Sequence, residues 1–245
     1  MIRAILFDKD GTLLDFQRTW LPVALQVVDQ LMTDHQVKGE DIRRQMLMSI
    51  GVMDTRIQAD GYLAQGTNRS IAQALYRVLE GYGVTVSREE FVARSTGLFN
   101  RIAAAGRIYP TEEGLDRLLE DLKNRGLLIG LATADTEHSA HNCLAALGID
   151  SYFDFVGADN GEINPKPHPE MMEWFCRQYQ LKPREVVMVG DTPTDMKFGH
   201  GAGAGFLVGV LCGTGTAGDL SPWADVLVDK VSDIVDTDGK LIWDR

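Results

Sequence analysis

The sequence predicts an α/β fold, a doubly wound parallel sheet core with one inserted all-helical domain. Three observations carry this. Short apolar, β-branched runs recur without polar alternation, as strands covered on both faces require. In the second half of the chain amphipathic helical patterns separate those runs, which is the order of a doubly wound sheet. One long interval, from about Phe16 to Ile108, has helix-like spacing and no convincing strand.

Taken in order, the first strand is Ala4–Phe7. The inserted block is expected over 16–107, with helical patterns at Trp20–Met32, Ile42–Ile50, Ile71–Leu79 and Glu89–Ala104. The core then resumes, so that 1–15 and 108–245 form one domain. Thr111–Arg125 places Leu115, Leu118, Leu119 and Leu122 on one stripe, starts after Pro110 and stops at Gly126, the punctuation of a helix. Strands follow at Leu127–Thr133, Phe153–Gly157, Val186–Gly190, Gly205–Leu211 and Asp225–Val228. Helices are expected between them at Thr136–Leu147, Pro169–Tyr179 and Thr194–Gly199.

The bulk numbers agree with this plan. At 245 residues the chain exceeds the roughly 100–150 of a usual single domain, leaving room for a second, smaller one. The net charge of −11 opposes nucleic acid and anionic membranes, which both need a basic patch. Small anionic substrates stay open, because a bound metal ion inverts the field locally. Cys143, Cys176 and Cys212 lack any Cys-x-x-Cys spacing and read as reduced thiols of a cytoplasmic protein. No apolar run approaches the ~18–20 residues that span a bilayer.

Chemistry concentrates where the predicted strands end. Residues i and i+2 of a strand face the same side, so Asp8 and Asp10 in "DKDGT" project together while Lys9 points away. Ligands bind at that edge of an open α/β sheet. Two like charges so close call for a divalent cation or a shared proton, and Gly11 allows the sharp turn that follows. A simple strand-to-loop turn is the plainer reading of the motif by itself. A calcium loop fits worse, because the third oxygen ligand and the terminal glutamate are missing.

Three further strand ends add to it. "LLIGLATADT" delivers the hydroxyl of Thr133 just before a helix start. "INPKPHP" holds Lys166 between prolines that restrict the backbone. "VVMVGDTPTD" presents Asp191 and Asp195, with helix capping as the plainer role of Asp195 or Thr192. Hard carboxylate oxygens without histidine or thiol select Mg²⁺, which characteristically shares its shell with phosphate oxygens.

In this order and spacing the four motifs, "DKDGT", Thr133 in "LATAD", Lys166 in "NPKP" and "GDTPTD", resemble those of the haloacid dehalogenase superfamily of phosphohydrolases. The resemblance spans nearly the whole chain. It implies a Rossmann-like core whose insertion is a C1-type helical cap, as in phosphoglycolate-phosphatase-like members. It further implies that Asp8 is the nucleophile and Asp10 the general acid and base. Thr133, Lys166 and the main chain near Lys9, Asp10 and Ala134 would hold the phosphoryl oxygens. Mg²⁺ would take Asp8, the Asp10 carbonyl and Asp191, with Asp195 behind them orienting Lys166 or a metal-bound water. An acid at position 10 favours rapid turnover, since pumps of the superfamily carry threonine there.

The implied activity is a Mg²⁺-dependent phosphomonoesterase acting on a small phosphorylated metabolite, such as phosphoglycolate or a sugar phosphate. A phosphomutase is its enzymatic rival. A phospho-receiver module would keep its acid pair and its phosphoacceptor on different strands and has no inserted block, and a non-catalytic sugar-phosphate binder would need a misassembled site. The insertion is expected to set the substrate, with Arg69, read as a loop residue in "QGTNRS", then Arg18 and Arg56, as the basic residues to inspect. "GTGTAG" at Gly213–Gly218 is a literal G-x-G-x-x-G but reads as a plain loop, because the next strand begins too soon for a helix. His138 and His141 read as a solvated helix face, His168 as peripheral, and Met46, Met48 and Met53 as packing residues.

Overall fold

The structure is a computed structural model that describes residues 1–159, 161 and 163–244, with the main chain alone at Gln65. The first half of the chain carries β1 (Ala4–Phe7), α1 (Phe16–Asp34), α2 (Glu40–Ser49), β2 (Val52–Met53), β3 (Arg56–Ile57), α3 (Tyr62–Gln65), α4 (Asn68–Gly81) and α5 (Arg88–Ala105). Then come α6 (Leu115–Asn124), β4 (Leu128–Thr136), α7 (Glu137–Leu147), β5 (Phe155–Asp159), α8 (Glu170–Tyr179) and β6 (Val186–Gly190). The chain closes with α9 (Pro193–Ala202), β7 (Phe206–Val210), α10 (Ala217–Leu220) and β8 (Val226–Val228). Two compact units result, Met1–Phe16 with Ile108–Arg245, and Gln17–Arg107.

In the first unit six strands form one sheet in the order β5-β4-β1-β6-β7-β8. Every pairing is parallel. The alternation of side chains along each strand fills two cores. Ile5 and Phe7 join Ile129, Leu131, Val187 and Val189 against Leu118, Leu119 and Leu122 of α6 and Leu144 of α7. Ala4 and Leu6 join Val186 and Met188 against Met171, Met172 and Phe175 of α8 and Met196 and Phe198 of α9. Apolar residues at every position of β1 and β6 are therefore needed, and both strands are buried throughout. The chain leaves β1 for β4 on one side and later returns to β6 on the other, which opens a crevice at the C-terminal end of β1.

Two expectations in this unit are corrected. The helix read from Thr111 begins at Leu115, after Gly114 in the left-handed region at φ 87°. Tertiary bonds claim the residues before it: the Thr111 hydroxyl donates to the Thr12 carbonyl at 2.7 Å, and Glu112 accepts from the Ser232 N–H and hydroxyl at 2.8 and 2.6 Å. The segment read as a plain loop ends in the single turn α10, whose start is closed by a reciprocal pair of bonds between Thr216 and Asp219.

The second unit is mainly α1, α2, α4 and α5, and one expectation of helix alone fails there. β2 and β3 pair antiparallel, Val52 with Ile57 and Met53 with Arg56, around Asp54 and Thr55 at φ 46° and 69°. Two left-handed residues make the tight turn that suits a hairpin, but strands of two residues show no periodicity to read. Gln17 secures the hairpin, its Oε1 accepting from the Ile57 N–H at 3.0 Å and its Nε2 donating to the Ile57 carbonyl at 2.9 Å. Arg69, expected in a loop, belongs to the first turn of α4, where the Thr67 side chain accepts from the Ser70 N–H. Arg18 lies on α1, and both arginines are exposed.

Candidate active site

Register brings the strand ends together. Phe7 is opposite Leu131 of β4 and Val189 of β6, so Asp8, Thr133 and Asp191 emerge within two residues of one level on three adjacent strands. The Asp8 N–H still donates to the Val189 carbonyl at 2.9 Å, after which the chain turns through Gly11 at φ 90°.

Lys166 reaches this edge from the loop between β5 and α8. Its ammonium donates to Asp8 Oδ1 at 2.5 Å and to Asp195 Oδ1 at 2.6 Å. The other oxygen of Asp195 accepts from the Thr192 N–H and hydroxyl at 3.0 and 2.6 Å, so the side chain that closes the start of α9 also orients Lys166. Capping and site support are thus one arrangement at Asp195. Asp191 is fully buried: its Oδ2 accepts from the Thr214 N–H at 2.7 Å and hydroxyl at 3.2 Å, and its Oδ1 from the Thr12 hydroxyl at 3.3 Å.

Carboxylate oxygens of Asp8, Asp191 and Asp195 lie within 4.8 Å of one another, the only such group of potential metal ligands among the described residues. Their charges are incompletely compensated. Burial, with the charges of Asp195 and Asp191, raises Asp8 well above the usual carboxylate range despite Lys166. Burial and the Asp195 charge push Asp191 up to about 7 against the donors of Thr214 and the charge of Lys166. Burial would lower Lys166, but Asp195 and Asp8 outweigh it and keep the ammonium charged. Three acids facing one ammonium favour a further cation.

Room has been kept beside the same group. A Cβ built on Gly11 or Gly213 would stand 2.3 or 2.0 Å from Asp191 Oδ2, and one on Gly215 would stand 2.1 Å from the Asp191 carbonyl oxygen. The residues present therefore fit a hard divalent cation.

Asp10 takes a different course. Its Oδ2 lies 2.8 Å from the Lys9 ammonium, which also meets Asp135 Oδ2 at 3.0 Å. The expected pairing of Asp10 with Asp8 gives way to one with Lys9, whose side chain is 1% exposed and whose ammonium lies beside Cys143 of α7. Burial would lower its pKa, but Asp10 and Asp135 raise it further. Thr133 is buried and its hydroxyl accepts from the Asp135 N–H at 3.1 Å, while Ala134 is exposed on the irregular end of β4.

A family model described as haloacid dehalogenase-like hydrolase matches residues 2–203. The chain belongs to the haloacid dehalogenase-like hydrolases. It is 29% identical to a phosphoglycolate phosphatase of Haemophilus influenzae over 157 residues, 62% of this chain and 68% of that one. It is 27% identical to an N-acetylmuramic acid 6-phosphate phosphatase of Pseudomonas putida over 203 residues, 82% of this chain and 80% of that one. The crystal structure of β-phosphoglucomutase from Clostridium difficile matches its fold with a TM-score of 0.60 at 24% identity, covering 95% of this chain and 92% of that one.

Sequence reasoning missed four residues around the site of this haloacid dehalogenase-like hydrolase. Thr214 lies in "GTGTAG", where Gly213 and Gly215 are explained by their close approach to Asp191. Thr12 and Lys9 stood inside the first motif, and Asp135 two residues past Thr133, where each could have been read as a partner. The three histidines singled out in the sequence have partners outside the Asp8, Asp191 and Asp195 group: His138 bonds to Asn142, His141 to Asp150, and His168 sits 3.8 Å from Glu170. Among the described residues, no helix is long and apolar enough to cross a membrane.

Proposed function

We propose that this hydrolase is a Mg²⁺-dependent phosphatase that cleaves a small phosphomonoester through an aspartyl-phosphate on Asp8. The observation that carries the reading is the buried bond from Lys166 to Asp8, made beside two further acids at the edge of the sheet. An ammonium held there against its own burial serves both the nucleophile and the phosphoryl oxygens that approach it.

Asp8 attacks phosphorus in line with the departing oxygen, and a P–O bond to the carboxylate forms as the ester P–O bond breaks. Asp10 gives its proton to that leaving oxygen. It then takes a proton from water, which attacks phosphorus and releases Asp8 and inorganic phosphate. Lys166, the Thr133 hydroxyl and the main-chain N–H groups near Asp10 and Ala134 hold the transferring oxygens. Asp8, Asp191 and the Asp10 carbonyl would hold Mg²⁺, which supplies neutralisation of the phosphate and of the acids. Asp195 keeps Lys166 in place.

A two-carbon phosphate or a sugar phosphate is the favoured substrate class, supported by the names of the two relatives. The unit Gln17–Arg107 is read as the part that selects among such esters, with Arg69 and Arg18 as the first side chains to replace. A phosphomutase is the second reading, supported by the fold shared with β-phosphoglucomutase. The test is a phosphate-release screen over phosphorylated metabolites with and without Mg²⁺. Metal-dependent release by the wild type and none by Asp8→Asn supports the phosphatase. Isomerisation of a sugar phosphate without release supports the mutase, and neither activity removes both.

A further inference from the structure

We infer that Lys9 is the positioning residue for the proton-transferring acid of this site, fixing the Asp10 carboxylate by bridging it to Asp135 at the end of β4. The inference rests on the reading of Asp10 given above. Lysine is almost never fully buried unless it is paired, and Lys9 is paired twice. Its stem runs inward to α7, where the ammonium is 3.7 Å from Cys143 Sγ.

The bridge continues past Asp135. One oxygen of that carboxylate meets Lys9, the other accepts from the Thr136 N–H at 2.8 Å, and the Asp135 N–H donates to the Thr133 hydroxyl. A line of bonds thus runs from Asp10 through Lys9 and Asp135 to Thr133, joining the acid to the strand that presents the proposed phosphate-binding hydroxyl. Strand alternation would place Asp8 and Asp10 on one side, yet of the two only Asp8 belongs to the group of three carboxylates. The Lys9 contact accounts for the difference, because it holds the Asp10 carboxylate toward Asp135. An acid placed about 1 Å off its line of proton transfer costs on the order of 10²-fold in rate.

The test compares kcat/KM for two esters in the full-length protein with Mg²⁺. Phosphoglycolate releases an alkoxide that needs a proton, whereas p-nitrophenyl phosphate releases a phenolate that departs without one. Lys9→Met is expected to lower kcat/KM for phosphoglycolate roughly 10- to 100-fold more than for p-nitrophenyl phosphate, with Asp135→Asn shifting the ratio less in the same direction. In an Asp10→Asn background Lys9→Met should leave the ratio unchanged, since the group it acts through is gone. Equal losses on both esters in the single variants, or a further fall of the ratio in the double variant, overturn the inference. If Lys9→Met does not fold, Asp135→Asn decides by its ratio alone. A wild type that turns over the aryl ester but no alkyl phosphate of the screen has no working acid and overturns the inference while the phosphatase reading stands; otherwise the best alkyl phosphate of the screen takes the place of phosphoglycolate. A wild type that turns over neither the aryl ester nor any alkyl phosphate overturns both.

Discussion

Lys166 donates to Asp8 across 158 residues of sequence, and the same ammonium is held by Asp195 at the start of α9. The contact joins the first strand end to the third segment of the site and opposes the rise that burial imposes on Asp8.

Removing that ammonium should damage both folding and activity. Lys166→Met leaves Asp8 and Asp195 buried without their counter-charge, a change that costs about 3–5 kcal/mol. Urea unfolding should report that loss, and phosphate release should fall by roughly 10²–10³-fold or more. A variant of wild-type stability and activity would show that the pair contributes neither.

Asp191 sets a pH dependence with a definite sign. Its pKa in the metal-free fold is about 7, against ~3.9 in an unfolded chain, so the native state binds the extra proton between these values. Stability of the metal-free protein from this group is therefore greatest in acid and is lost as pH rises toward 7. A cation replaces the proton, so Mg²⁺ should raise Tm more at about pH 8 than at about pH 5.5, and its binding near pH 6 should release protons. An equal Mg²⁺ effect at both pH values contradicts the assignment of Asp191.

The glycines around Asp191 give a steric test. Gly213→Ala puts a methyl 2.0 Å from Asp191 Oδ2 and must displace the carboxylate. Thr214→Val removes the hydroxyl that donates to it. Both should raise the Mg²⁺ concentration needed for half-maximal activity by roughly 10–100-fold. Gly218→Ala meets only the Thr216 hydroxyl oxygen at 3.7 Å and should leave it unchanged. Equal Mg²⁺ requirements in all three would separate the loop from the metal.

The strand ends were legible because period and chemistry coincide there: Ala4–Phe7 and Val186–Gly190 were read to the residue, and each runs straight into acids. What escaped reading depended on tertiary partners. Thr111 carries a helix-start pattern yet bonds to Thr12, and the short β2–β3 pair is built on left-handed Asp54 and Thr55, which no alternation announces. Strand period puts Asp10 beside Asp8, but its carboxylate pairs with Lys9, whose ammonium lies beside Cys143 of α7. The segment "GTGTAG" reads as a plain loop, whereas Gly213 and Gly215 have as their neighbour in space Asp191 from another strand end.

The central claim is that Asp8 carries the phosphoryl group. Asp10→Asn should slow release of that group by roughly 10²–10⁴-fold, so the phosphoenzyme builds up with p-nitrophenyl phosphate and Mg²⁺. Quenching, borohydride reduction and peptide mass mapping should then find position 8, and no other aspartate, converted to homoserine. Turnover with an unmodified Asp8, or reduction at Asp191 or Asp195 instead, would contradict the account.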